Sequence, residues 1–287
     1  MRSDDWFAEG ERVRVDLASG SFEIFCRVAG SGPWLTLLHG FPTSSWDWAK
    51  VAPALERRFR VLCLDFLGFG DSDKPRLHGY SILEQADVTE AVWRHFELGE
   101  STLAAHDYGA TVAQELLARA RTAARVSGAV LLNAAVYVRL ARPLLLQRLL
   151  AAPIVGAPLA LGITERTFAR SLASVFARPP ERDELREHWR VLRRRGGTAP
   201  ITPRLLRYLA ERKAQAERWE GALERSAVPL RFVWGMADPR SGAHIAAEIR
   251  RRLPAADLIE LDDVGHYPQL EAPDRVAAAI AEFAEAS

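Results

Sequence analysis

Only two cysteines, Cys26 and Cys63, occur in the 287 residues, and neither has metal-ligand spacing around it. Both sit in apolar segments, which excludes a disulfide scaffold and suits buried free thiols in a reducing cytoplasm. An excess of one charge sign is also missing. The 38 Lys and Arg against 37 Asp and Glu leave +1, too little for a surface that must neutralise phosphates, so no nucleic-acid partner is expected. The 19 glycines follow no period, which excludes a collagen-like or repeat protein. Residues 1–10 lack the apolar core of a signal peptide. A soluble cytoplasmic protein is the expectation. Apolar residues are what the chain has in quantity. With 48% hydrophobic and 26% charged residues, disorder is excluded and one large α/β domain or two small ones fit the length.

Short Leu- and Val-rich runs bounded by Gly, Pro or Asp mark the strands. Val13–Leu17 and Phe22–Val28 flank Ser19-Gly20 and read as a hairpin. Trp34–Leu38, Val61–Leu64, Thr102–Ala105, Gly128–Leu132, Leu230–Trp234 and Leu258–Leu261 follow. Most later runs are apolar on consecutive residues, as strands buried on both faces are. Helical patterns such as Ser81–Phe96 and Ala110–Ala120 separate them. This alternation implies a mostly parallel, doubly wound α/β sheet.

One interval breaks the rhythm. From Asn133 to Val228 no run reads as a strand, and prolines and glycines punctuate helical segments. A structureless loop of that length is improbable, so a helical cap over residues 134–226 is expected, inserted into a core of residues 1–133 and 227–287. Charge supports the division: Arg139 to Arg225 hold 18 basic and 9 acidic residues. Solvated helix faces such as ERDELREHWRVLRRR explain that excess most simply, with anion binding as the other reading. Leu144–Ile163 is nearly all apolar, but Arg148 and two prolines argue against a membrane span. It is expected to line an apolar substrate cavity.

The segment with the sharpest chemistry is Leu103-Ala104-Ala105-His106-Asp107-Tyr108-Gly109-Ala110-Thr111. A strand runs into a turn so tight that small residues, Ala105 and Gly109, must flank its apex, and a helix follows. That geometry pushes Asp107 out above the carboxyl edge of the sheet, where open α/β folds bind ligands. Here the chain resembles the α/β-hydrolase superfamily, with Asp where its esterases carry Ser. The resemblance implies that His39-Gly40-Phe41-Pro42 supplies one oxyanion-hole N–H, from Phe41, and that Tyr108 supplies the other. It implies a catalytic base at His266, in Val264-Gly265-His266-Tyr267-Pro268, and its orienting acid at Asp238, four residues past a strand end. Asp65–Pro75 is similar to a structural loop of epoxide hydrolases and haloalkane dehalogenases. The rival acid position holds Asn133, which has no charge to stabilise an imidazolium. Asp262 and Asp263 are expected to be solvated.

Aspartate as nucleophile selects the reaction. Attack on an ester carbonyl would yield a mixed anhydride, whereas attack on the sp³ carbon of an epoxide or haloalkane yields an ordinary alkyl ester that water can cleave. Dehalogenases of the superfamily carry a Trp after the nucleophile and often an Asn after His-Gly. This chain has Tyr108 and Phe41. Epoxide hydrolases protonate the opening ring from cap tyrosines, and Tyr208, on an expected helix Pro203–Arg218, lies 30 residues before Asp238, matching the second of them. The first is missing, for no Tyr occurs between Val138 and Arg207. Tyr137, His188 or water are the candidate substitutes, His188 reading first as a surface or packing residue. Further motifs, His106-Asp107-Tyr108-Gly109 with Val112–Leu117, Arg142–Gln147, Arg218–Leu223 and His266–Glu271, resemble the mesoderm-specific transcript proteins, an epoxide-hydrolase-like branch. The expected function is a cofactor-free epoxide hydrolase without a metal, acting on a small apolar epoxide with water. A haloalkane dehalogenase or a non-catalytic relative are the alternatives, and a homodimer is the candidate assembly.

Overall fold

The computed structural model describes residues 1–119, 125–152 and 154–286. Ala120, at the end of the expected helix Ala110–Ala120, and Pro153, in the long apolar run, lie outside the described residues. Eight strands are described: β1 (Glu11–Leu17), β2 (Gly20–Ala29), β3 (Trp34–Leu38), β4 (Arg60–Leu64), β5 (Glu100–His106), β6 (Arg125–Leu132), β7 (Leu230–Gly235) and β8 (Asp257–Leu261). They form one sheet in the order β1-β2-β4-β3-β5-β6-β7-β8. β1 and β2 make the expected hairpin, β2 runs antiparallel to β4, and the remaining pairs are parallel. The doubly wound, mostly parallel sheet is therefore present, with each strand end within three residues of its expected place.

Register brings the functional loops together. Leu38 pairs with Ala105 and His106 with Leu132, while Leu132 also pairs with Val233 and Gly235 with Leu261. The loops after β3, β5, β6, β7 and β8 thus leave one edge of the sheet side by side. Leu35, Leu37, Val61, Leu62, Leu103, Ala104, Val130 and Leu131 are completely buried, because helices cover both faces of these consecutive-apolar strands. The helix Ile82–His95 opens on Ser81, whose Oγ accepts the Glu84 N–H at 3.1 Å, a side-chain cap on an otherwise unpartnered donor. Cys26 and Cys63 are buried free thiols, both pushed up in pKa chiefly by burial.

Between β6 and β7 the described residues form helices and turns without a strand. The apolar run 144–163 becomes two short helices, Leu145–Leu150 and Gly156–Leu161. Leu146, Leu150 and Ala160 line a cavity, whereas Leu145 and Ile154 on the other side are 70% and 87% exposed. No helix among the described residues is long and apolar enough to cross a membrane. The expected single helix Pro203–Arg218 is instead three pieces: Thr202–Leu205, Tyr208–Ala214 and Ala216–Glu224. Gln215 (φ −104°, ψ 13°) leaves the α-helical region, and at Leu206 i→i+3 bonds such as Leu209 N–H to Leu206 C=O, 3.1 Å, tighten the first junction. The breaks let Tyr208 and Arg212 face the cavity while Trp219 packs against the helix Tyr108–Ala118.

Candidate active site

β5 ends at His106 and a helix starts at Tyr108, so Asp107 alone makes the turn, at φ +43° and ψ −103°. A non-glycine residue in that region is strained, and such strain persists only where the surroundings hold it. Two glycines make the room. A Cβ on Gly109 would lie 2.6 Å from the Leu38 carbonyl oxygen, and one on Gly40 would lie 2.6 Å from His106 Nδ1. With Gly40 in place the loop after β3 comes close enough for the Phe41 N–H to donate to Asp107 Oδ2, 3.2 Å. Tyr108 N–H is among the first four of its helix, which have no acceptor within the helix and make its start electropositive.

Asp238 and His266 meet, as the resemblance implies. His266 Nδ1 is 2.8 Å from Asp238 Oδ2, which also accepts from Ser241 Oγ at 2.6 Å and Asn133 Nδ2 at 3.0 Å, while Oδ1 takes the Arg240 N–H at 2.7 Å. Burial alone would favour the neutral acid, but His266 and these donors outweigh it and hold the Asp238 carboxyl well below its ordinary 3.8. For His266 burial resists the charge. Asp238, assisted by Asp107, overcomes it and raises the imidazole above 6.5. Asn133 is thus the clamp on the acid. It also accepts the Gly235 N–H at 2.6 Å and donates to the Gly235 carbonyl at 2.9 Å. Asp262 and Asp263 are exposed, the latter paired with Arg275.

Phe41, Asp107, Tyr208 and His266 line one cavity of about 1430 Å³. Tyr208 is 2% exposed, its ring 5.9 Å from that of Phe41 and 5.1 Å from that of Tyr108. Burial first, and the nearby Asp107 charge second, push its phenol above 10. Tyr137 and His188 are not brought to this group. Neither lines the cavity. Tyr137 is buried under the Arg252 guanidinium, 4.5 Å from its ring centre. His188 packs on Trp46 at 4.8 Å and lies 3.9 Å from Asp47, and burial takes its pKa down to about 3. As donors to a substrate at Asp107 both are displaced.

Arg212 stands where those donors were sought. It is 5% exposed, donates Nε to Thr111 Oγ1 at 2.8 Å and Nη2 to the Asp107 carbonyl at 3.1 Å, and lies 3.5 Å from Asp107 Oδ1. Its guanidinium sits over the Tyr208 ring at 4.6 Å. The available signal was spacing: residues four apart share a helix face, so a Tyr208 turned to the cavity brings Arg212 with it. His106 had no such signal. Its Nε2 is 2.7 Å from the His266 carbonyl, tying the turn to the base loop, and burial with the His266 charge keeps it neutral at about 3. The Asp65–Pro75 loop is organised around Asp65. Asp65 Oδ1 accepts from Ser45 N–H and Oδ2 from Asp71 N–H, each at 2.7 Å, and Ser72 Oγ donates to the Asp65 carbonyl at 2.6 Å.

A family model described as alpha/beta hydrolase fold matches residues 33–273. The chain is 43% identical over 259 residues to the mesoderm-specific transcript protein of Mus musculus, covering 86% of this chain and 77% of that protein. It is 40% identical over 264 residues to a Mycobacterium tuberculosis protein called hydrolase LipZ, covering 90% of each. Among solved structures, haloalkane dehalogenase DbeA from Bradyrhizobium elkani is similar with a TM-score of 0.81 at 23% identity, over 96% of this chain and 97% of that one, a likeness of fold.

Proposed function

The chain belongs to the alpha/beta hydrolase fold family, and on that premise we propose that this hydrolase opens an epoxide to a vicinal diol through an alkyl ester on Asp107. Residues 1–133 and 227–287 act as the core and 134–226 as a cap closing over the reacting group, and the buried thiols suit a cytoplasmic setting. The observation that carries the reading is a carboxylate at the strained turn, one oxygen held by the Phe41 N–H, with a buried phenol and His266 lining the same cavity. Asp107 Oδ1 attacks a ring carbon and the carbon–oxygen bond breaks. The ring oxygen takes the Tyr208 proton, which burial has kept on the phenol. Charge leaves the carboxylate as it appears on that oxygen, so Arg212, beside Asp107 and Tyr208, can follow it without reorganising. His266 Nε2 then removes a proton from water, whose oxygen attacks the Asp107 carboxyl carbon. Phe41 and Tyr108 N–H groups hold the oxyanion, and collapse returns the diol and the carboxylate: one water proton passes through His266 to the leaving alkoxide and the other restores the Tyr208 phenol.

One observation favours a second reading. A haloalkane dehalogenase needs N–H donors for the departing halide, and Arg212 offers them beside Asp107. Halide release and diol formation on matched substrates separate the two. A non-catalytic role has no use for the Asp107, Asp238 and His266 arrangement. The path of oxygen tests the centre of the mechanism. In ¹⁸O-water with enzyme in excess, a single turnover should give mostly unlabelled diol, and repeated turnovers should label the peptide containing Asp107. Label in the first diol and none in the peptide would mean direct attack by water.

A further inference from the structure

The cavity is lopsided in charge. Its walls are apolar, with Leu146, Leu150, Ile163, Phe168 and Leu172 among them, yet Asp107 is the sole carboxylate among the described lining residues. Apart from Arg193, which lies over the Trp189 ring at 5.5 Å, six lining cations, Arg139, Arg142, Arg148, Arg207, Lys213 and Arg240, have no ion-pair partner among the described residues. Five of the six, Arg139, Arg142, Arg148, Arg207 and Lys213, are exposed, and outer helix faces also carry arginines without an ion pair among the described residues, such as Arg166, Arg170 and Arg182. What sets the six apart is that they line one cavity with a single carboxylate. Five other arginines of the inserted helices, Arg186, Arg190, Arg194, Arg195 and Arg218, are neutralised by carboxylates at 2.7–3.0 Å. Residues 139–164 contain three arginines and no acid. Arg240, beside the acid Asp238, has a buried Nε without a partner. A small neutral epoxide would leave most of the 1430 Å³ and all six charges unused.

We propose that the substrate is an amphiphilic anion: an apolar chain that carries the reacting carbon to Asp107 and ends in a negatively charged head held by cations at the cavity rim. This rests on the epoxide reading for the reacting carbon only; the preference for a charged end is a property of the cavity. A cleft lined by one charge sign, with low-dielectric walls, concentrates the opposite charge, and a carboxylate head offers guanidinium groups charge-assisted bonds. The apolar wall takes the chain. The inner face of Leu145–Leu150 and Gly156–Leu161 and three of the rim arginines, Arg139, Arg142 and Arg148, come from the same stretch, so this segment contributes to both ends of the site. The plain apolar epoxide of the sequence reading becomes an apolar chain with an anionic end.

Two assays decide it. Titration calorimetry should show decanoate binding about tenfold more tightly than decanol, with the gap shrinking as salt rises. The triple variant Arg142→Gln, Arg148→Gln, Arg207→Gln should erase the gap. Removing the same charge elsewhere, with Arg166→Gln, Arg170→Gln and Arg182→Gln, should leave it. Equal binding of the two probes, or equal loss in both variants, overturns the proposal. In turnover, 10,11-epoxyundecanoate should exceed its methyl ester about tenfold in kcat/KM. If decanoate is preferred and neither epoxide is opened, the anionic site stands and the epoxide reading falls. If both epoxides are opened equally and binding shows no preference, the reverse holds.

Discussion

On the proposed reaction, the Asp107 side chain sets the chemistry and its neighbours set the timing. Tyr208 keeps its proton because burial and the Asp107 charge both oppose its loss. Tyr208→Phe should therefore slow alkylation about 10²-fold, the usual yield of a positioned general acid. Rapid-quench measurement of the alkyl-enzyme would show it, and an unchanged rate would leave Tyr208 with a packing role. As the proposed base His266 would act in the neutral form, and its pKa is raised, so hydrolysis of the alkyl-enzyme should gain rate as pH rises through a midpoint above 6.5. Asp238→Asn removes the cause of that rise. Its midpoint should fall, and its plateau should drop about 10³-fold because the imidazole loses its orienting partner. A midpoint common to both proteins would assign the limb to another group. Asn133 shows how close the sequence came: weighed as a poor acid, it holds the acid in place.

Elements carry these side chains through links that no single motif displays. The helix Tyr108–Ala118 meets Ala216–Glu224 through Glu115, 2% exposed, which accepts from Arg218 Nε and Trp219 Nε1, both at 2.8 Å. Burial would raise its pKa, but Arg218, Trp219 and Arg119 outweigh it and hold it below 4.5. A depressed carboxyl stabilises the fold fully above its ordinary value and loses that contribution as pH falls through the folded value. Glu115→Gln should thus cost about 1–3 kcal/mol at pH 7, with the gap in urea melts closing below pH 4.5. A constant gap would mean that charge is not its contribution. Spacing placed Glu115 and Arg218 in two motifs 103 residues apart. That they touch was visible only after folding. The expected helix Pro203–Arg218 failed for the same reason, since its breaks at Leu206 and Gln215 serve two different packing partners.

Over the whole molecule, the inserted helices are fastened at scattered points to the loops and helices around the sheet. Glu211 accepts the Ile82 N–H at 2.8 Å, Arg194 and Arg195 reach Asp71 and Asp73, Lys50 pairs with Glu184, and Val175 accepts the His266 N–H at 2.9 Å. Cap and core should therefore melt together, with calorimetric and van't Hoff enthalpies equal. Two resolved transitions would show that the cap folds as a separate unit. Strand runs, the helical insertion and the tight turn at Asp107 were legible in the sequence because each is a local pattern: apolar continuity, proline spacing, small residues about an apex. The pairing of Asp238 with His266 was anticipated from the resemblance to the alpha/beta hydrolases, and it is met because parallel strands deliver their loops to one edge. Local pattern could not decide which buried side chain faces Asp107. Tyr137 and Tyr208 are both buried phenols, and only the direction in which packing turns each one put Tyr208 beside the carboxylate and Tyr137 under Arg252. The basic excess of residues 139–225 was legible in the sequence, but not which of its cations face the cavity. Ion pairing is a matter of distance in three dimensions, so only the tertiary structure could separate neutralised cations from those left facing the cavity.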